Sequence, residues 1–191
     1  YCQRASYKAD NGQEGKFMCQ AQGYYQSYAR KYYKVSNDVP FQAVKLCDDY
    51  GLDTKALEPV LIWLSRCYQA GILTEKETGL PLSQMGSLEF IETLVRKISL
   101  RDGFGDILAQ GAYRAANLIG GRAAEQLADI PFKAEIRATY APRMFITTGL
   151  FYMVEPRPPV AQAHAVSSTV IQWIDWAKKK EGAYLSNDVI G

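Results

Sequence analysis

The chain has 191 residues, 48% of them hydrophobic, which is enough for an ordinary globular core and too much for a disordered polymer. Its 22 Lys and Arg against 20 Asp and Glu leave a formal charge of +2, too small a field to draw in nucleic acid or an anionic bilayer. No apolar run approaches the ~20 residues of a membrane span, and the opening YCQRASYKAD has neither a basic nor an apolar signal region, so a soluble cytoplasmic chain is expected.

Residues 1–36 are rich in Tyr, Gln, Lys and Gly. Their first half reads as irregular chain, followed by an aromatic cluster of Tyr24, Tyr25, Tyr28, Tyr32 and Tyr33. Asn37 or Asp38 then caps a helix over 39–50, with Pro40 in its first turn, Phe41, Val44 and Cys47 on one face and Gly51 as its stop. Asp53 or Thr54 caps a second helix over 55–70, in which Leu57, Leu61, Leu64 and Tyr68 form a stripe and Pro59 falls early enough to be tolerated. A polar loop over 74–86 leads to Ser87 and a helix over 87–101 that gathers Leu88, Ile91, Leu94, Val95 and Ile98. After Gly103 and Gly105 the same period predicts one helix over 105–119, stopped by Gly120 and Gly121.

From 130 to 160 the pattern breaks, with four prolines from Pro142 to Pro159 around a β-prone run over 144–154, and this reads as loop with some extended chain. A last helix is expected over 166–180, its three lysines set favourably at the C-terminal end. No strand-helix alternation and no internal repeat is present, so the fold class is all-α, mainly helical.

The four cysteines, Cys2, Cys19, Cys47 and Cys67, include no CxxC pair, so local spacing encodes no metal site. Cys47 and Cys67 fall inside helical patterns and are expected to be buried and unpaired, as small hydrophobes. The most informative string is Asp48-Asp49-Tyr50-Gly51-Leu52-Asp53-Thr54. Carboxylates in the last turn of a helix oppose its dipole, and something must compensate for them. Either Asp53 caps the next helix and Asp48 is solvated, or both accept hydrogen bonds from a donor-rich ligand that Gly51 lets approach closely.

The form DxxGLDx of this string resembles the first of two pterin-binding motifs in the aldehyde ferredoxin oxidoreductase family. Two further strings match in order. Arg101-Asp102-Gly103-Phe104-Gly105-Asp106 is similar to the family's GFGD-type turn, and Tyr140-Ala141-Pro142-Arg143 resembles its YDPR turn, with Ala141 lacking the acid. The resemblance assigns Asp48, Gly51, Leu52 and Asp53 to pterin binding. It places His164, which follows Arg143 by 21 residues, near the metal as a proton donor or acceptor, although a lone His also serves structural roles. Cys2 either stands where the family's iron–sulfur motif CxxCxxxC would finish or is an incidental thiol near the chain end. Cys19 is either a buried structural thiol or, as in benzoyl-CoA reductase-type subunits of the superfamily, a tungsten ligand.

What the resemblance implies is a piece of an oxidoreductase that carries tungsten or molybdenum on two molybdopterins together with a 4Fe-4S cluster. Such an enzyme oxidises aldehydes to carboxylic acids and passes electrons to ferredoxin or an electron-transfer subunit. The alternatives are reduction of an aromatic acyl-CoA and a helical scaffold without chemistry. The expected division is a helical domain over 1–130 carrying half of the pterin site and, over 131–191, a Pro-rich loop with the start of a further helical region. Tyr1 in place of Met and the open run 185–191 suggest a cut chain. Alone, it is expected to be inactive, to hold neither pterin nor metal, and to associate with itself through faces that other domains would cover.

Overall fold

A computed structural model describes residues 4–128 and, beyond them, Ile130, Met153, Ile174 and Lys178. The continuous stretch belongs to a compact unit spanning Cys2–Ala134, while 135–191 fall in a second unit. Of the helix expected over 166–180, Ile174 and Lys178 are described and both are helical; its other residues and most of the Pro-rich stretch lie outside the described residues. Met153, within the run expected to be extended, is helical, in keeping with the unbranched side chain of Met.

The first structural surprise is a β-hairpin where irregular chain was expected. Strands β1 (Arg4–Lys8) and β2 (Glu14–Met18) pair antiparallel, with Arg4 opposite Met18 and Lys8 opposite Glu14. A lone hairpin of this length is marginal in water, so tertiary contacts decide its presence. Tyr7 packs its ring 4.8 Å from that of Phe41 and donates its hydroxyl hydrogen to Asp38 Oδ1, while the Asp10 amide donates to Asp38 Oδ2 at 2.6 Å. Asp38 stands at the cap of the next helix without capping it, because its carboxylate is engaged by the hairpin.

Helix α1 (Cys19–Tyr33) follows directly and takes up the aromatic cluster: Tyr24 and Tyr25, with Ala29, are almost fully enclosed, Tyr28 is half-buried, and Tyr32 and Tyr33 are exposed. Helices α2 (Val39–Tyr50), α3 (Thr54–Gln69) and α5 (Leu88–Leu100) follow the apolar periods of the sequence within a residue or so at each end. Between α3 and α5, the stretch expected as plain loop contains the short helix α4 (Glu75–Thr78) and a 3-10 turn (Leu82–Gln84). Thr74 and Glu77 form a reciprocal capping box that makes so short a helix possible.

The single helix expected over 105–119 is two helices, α6 (Phe104–Leu108) and α7 (Ala112–Ile119). The apolar period runs on through the break, but Gly111 adopts φ 84° and ψ 161°, which no helical residue can hold. A final short helix, α8 (Gly121–Glu125), is tied back to α3. Trp63 Nε1 donates to the Ala123 carbonyl at 2.8 Å, and the Arg66 guanidinium donates to the carbonyls of Gln126 and Ala128.

The core lies among α1, α2, α3 and α5, built on Tyr24, Tyr25, Trp63, Leu64, Phe90, Ile91 and Leu94. Cys47 and Cys67 are buried and free, as expected. The described residues are mainly helical, with the hairpin as an addition to the all-α class. Among them no helix is long and apolar enough to cross a membrane.

Candidate functional site

The turn between α2 and α3 is fixed by backbone bonds. Gly51 closes α2 in the left-handed region at φ 69°, its amide donates to the Asp48 carbonyl at 3.2 Å, and the Leu52 amide donates to the Cys47 carbonyl at 2.8 Å. This double closure is a Schellman motif, and Leu52, one residue beyond the glycine, packs against the core as that motif favours. Nothing lies within 4 Å of where a Gly51 Cβ would stand, so the backbone there is open to an approaching group.

The acids of the turn sit on its outer side. Asp48, Asp49, Gly51 and Asp53 are exposed. Asp48 Oδ2 accepts from Lys45 Nζ at 2.6 Å, which is the compensation that a carboxylate at a helix C-terminus requires. Asp53 caps α3, with Oδ1 accepting from the Lys55 amide at 2.8 Å. Asp48 and Asp53 are thus each engaged through one oxygen by their own neighbourhood, and both residues are exposed. Three exposed carboxylates, of which Asp48 pairs with Lys45, make the turn an acceptor-rich surface.

Behind it lies a thiol and a phenol. Tyr24 of α1 donates its hydroxyl hydrogen to the Ala43 carbonyl at 3.1 Å, and the same oxygen lies 3.1 Å from Cys47 Sγ. Burial pushes the Cys47 thiol up to about 11, and the nearby Asp48 and Asp53 charges add to that. Burial also drives the Tyr24 hydroxyl far above its ordinary range. Both groups are protonated at neutral pH and act as fixed hydrogen-bonding groups. Neither role was legible in the sequence, where Tyr24 is one tyrosine among thirteen and the pairing spans 23 residues.

The GFGD-type turn joins α5 to α6. Arg101 is left-handed at φ 53°, Asp102 pairs with Lys97 at 3.1 Å and Asp106 with Arg101 at 2.8 Å. A Cβ on Gly105 would lie 2.1 Å from the Lys97 carbonyl oxygen, so this glycine lets α6 touch the end of α5. Each of the turn's acids, like Asp48, is paired with a basic side chain through one oxygen.

Cys2, His164 and the turn at 140–143 lie outside the described residues; Cys19 opens α1, but its side chain is outside them too. Among the described residues no group of three or more His, Cys, Asp or Glu side chains could hold a metal ion. Cys47 and Cys67 are poor candidates for ligands, because burial keeps both thiols protonated up to about 11. The exposed acceptors of the α2–α3 turn do fit the N–H edge of a pterin, since ionised carboxylates accept hydrogen bonds only.

Comparison with known proteins bears on the same residues. Residues 36–186 match the family described as aldehyde ferredoxin oxidoreductase, domains 2 & 3; the hairpin and α1 precede the matched stretch. The tungsten-containing aldehyde ferredoxin oxidoreductase of Pyrococcus horikoshii is 35% identical over 83 residues, covering 42% of this chain and 14% of that protein. Its namesake from Pyrococcus furiosus is 36% identical over 80 residues, 41% of this chain and 13% of that protein. The aliphatic sulfonate oxidoreductase, WOR-like subunit, of Pyrococcus furiosus is 38% identical over 71 residues, 37% and 11% of the two chains. The matched segment spans no more than 14% of the length of these relatives. No solved structure matches the chain significantly. With its match running from residue 36 to residue 186, the chain belongs to the aldehyde ferredoxin oxidoreductase family.

Proposed function

We propose that the chain contributes one half of a pterin site to a tungsten enzyme that oxidises aldehydes to carboxylic acids with ferredoxin as acceptor. The observation that carries this reading is the exposed α2–α3 turn, where Asp48 and Asp53, each engaged through one carboxylate oxygen, stand exposed beside an unobstructed Gly51. When bound, the tungsten-pterin group supplies the two-electron chemistry. The chain's own contribution is to accept the pterin N–H groups, hold their orientation and set a negative potential beside them. The names of the relatives favour aldehyde oxidation over reduction of an aromatic acyl-CoA.

On this reading His164 moves a proton near the metal, Cys2 completes the iron–sulfur motif, and Cys19 is a second candidate ligand. Ferredoxin or a dedicated subunit takes the electrons, in the cytoplasm. Residues 1–130 form the domain with the half-site and 131–191 lead into the next one. The half-site does not suffice by itself. Association costs ~4–15 kcal/mol in lost freedom, and two carboxylates contribute ~1.5–3 kcal/mol each through charge-assisted hydrogen bonds. The 191-residue chain purified alone should therefore contain no stoichiometric tungsten.

The decisive test is the paired substitution Asp48→Asn and Asp53→Asn in the intact holoenzyme, with tungsten and pterin measured per chain. Asn keeps the shape and replaces acceptor oxygens with donors, so cofactor content should fall severalfold while the protein stays folded. Full tungsten occupancy in the double variant would sink the proposal.

A further inference from the structure

Cys47 is the residue through which the acidic turn is joined to the core. Its carbonyl accepts the Leu52 amide at 2.8 Å and so closes the turn that carries Asp48, Gly51 and Asp53. Its thiol lies 3.1 Å from the Tyr24 hydroxyl, which also donates to the Ala43 carbonyl one turn earlier on α2. Tyr24 is therefore hydrogen-bonded to two successive turns of the same helix from a different helix. Its side chain is 1% exposed and that of Cys47 0%, so no water competes for these bonds. Because the last turn of α2 is held there, its rotation and depth fix where the Asp48 carboxylate emerges.

We infer that Tyr24 is a positioning residue for the pterin-binding turn, acting through Cys47; the inference rests on the function proposed above for Asp48 and Asp53. Tyr24 lies before residue 36, outside the stretch that matches the family, and none of the motifs points to it. The tie aligns acceptors with a rigid planar partner without touching it. Its removal should leave the acids present and ionised but loosely aimed, which weakens retention of the cofactor more than it weakens the fold.

An internal control is built into the next residue. Tyr25 is equally buried and its hydroxyl also makes two hydrogen bonds, donating to the Ser87 carbonyl at 2.7 Å and accepting from the Gly86 amide at 3.1 Å. These bonds hold α1 to the start of α5 instead of to α2. Tyr24→Phe and Tyr25→Phe each delete one buried hydroxyl, so a merely structural role predicts similar consequences for both.

The experiment follows tungsten loss from the intact holoenzyme during dialysis against chelator, alongside the thermal midpoint, for the parent, Tyr24→Phe, Tyr25→Phe, Cys47→Ala and Cys47→Ser. Tyr24→Phe should release tungsten about fivefold faster than the parent, the order expected from one buried hydrogen bond. Tyr25→Phe should release it at the parental rate even where its midpoint falls as far. Cys47→Ala should behave as Tyr24→Phe, and Cys47→Ser, whose hydroxyl can still meet Tyr24, should recover most of the loss. Equal release rates for Tyr24→Phe and Tyr25→Phe would overturn the inference. The Asp48→Asn, Asp53→Asn double variant separates the two ideas: if it keeps its tungsten, the reading of the turn has failed and this inference with it. If it loses tungsten while Tyr24→Phe does not, only the positioning role is wrong.

Discussion

At the end of α2 and again at the end of α5 the backbone closes in the same way. Gly51 and Leu52 donate to the carbonyls of Asp48 and Cys47, and Arg101 and Asp102 donate to those of Ile98 and Lys97. Both turns carry aspartates on their rims. In the α5–α6 turn Asp102 and Asp106 are matched by Lys97 and Arg101, and Gly105 is pressed against the Lys97 backbone. In the α2–α3 turn Asp48 pairs with Lys45 of the preceding helix, Asp53 caps the next helix, Asp49 is exposed, and Gly51 faces open space. The same cap therefore serves two ends: one turn packs two helices together, and the other displays acceptors. Unspent charge and unfilled space separate the proposed recognition turn from the structural one.

The largest expected effect separates the turns by pH. Cys47 supports the α2–α3 turn from the core and Cys67 sits in α3; burial raises both thiols from 9.0 to about 11. A raised acid stabilises the fold fully below the unfolded value of 9.0, and that stability is lost as pH climbs toward 11. Near pH 10.5 each thiol should cost about 2 kcal/mol relative to pH 8. Denaturant titrations at the two pH values check the total. Amide exchange checks the location: protection around 47–52 should fall before that around 101–106, and the reverse order would break the comparison.

Gly105→Ala comes next, since its Cβ would meet the Lys97 carbonyl oxygen at 2.1 Å and carbonyl carbon at 2.3 Å. Separating α6 from α5 should cost about 3 kcal/mol, read as a lowered unfolding midpoint. Gly51→Ala should cost about 1 kcal/mol, because only the left-handed backbone at φ 69° resists it and no atom lies within 4 Å. Equal losses at the two glycines would show that the packing distinction is wrong. Smallest is Asp48→Asn, which removes an ion pair whose acid side chain is 59% exposed and should change stability by less than about 0.5 kcal/mol.

The residues of the α2–α3 turn were legible from the sequence because capping is local. A glycine after an amphipathic run and an aspartate before the next one specify a stop and a start within six positions, and the structure has both. The helices with strong periods were legible for the same reason, since burial of one face repeats every three or four residues. The break at Gly111 was not, because the apolar period continues across it and only the backbone conformation of that glycine shows the interruption.

What the tertiary structure alone decided are contacts between residues far apart in the chain. The hairpin exists because Asp38 gives its carboxylate to Tyr7 and Asp10, 31 and 28 residues away. Its two strands are short, polar and unremarkable by composition, so no local preference announces them. The tie from Tyr24 to Cys47 likewise depends on how α1 lies against α2, which is set by the whole buried face of both helices. Local sequence determines where the backbone turns and which charges stand at the turn. The packed core determines which of those charges are answered by neighbours and which remain directed outward, because only packing brings distant partners within hydrogen-bonding distance.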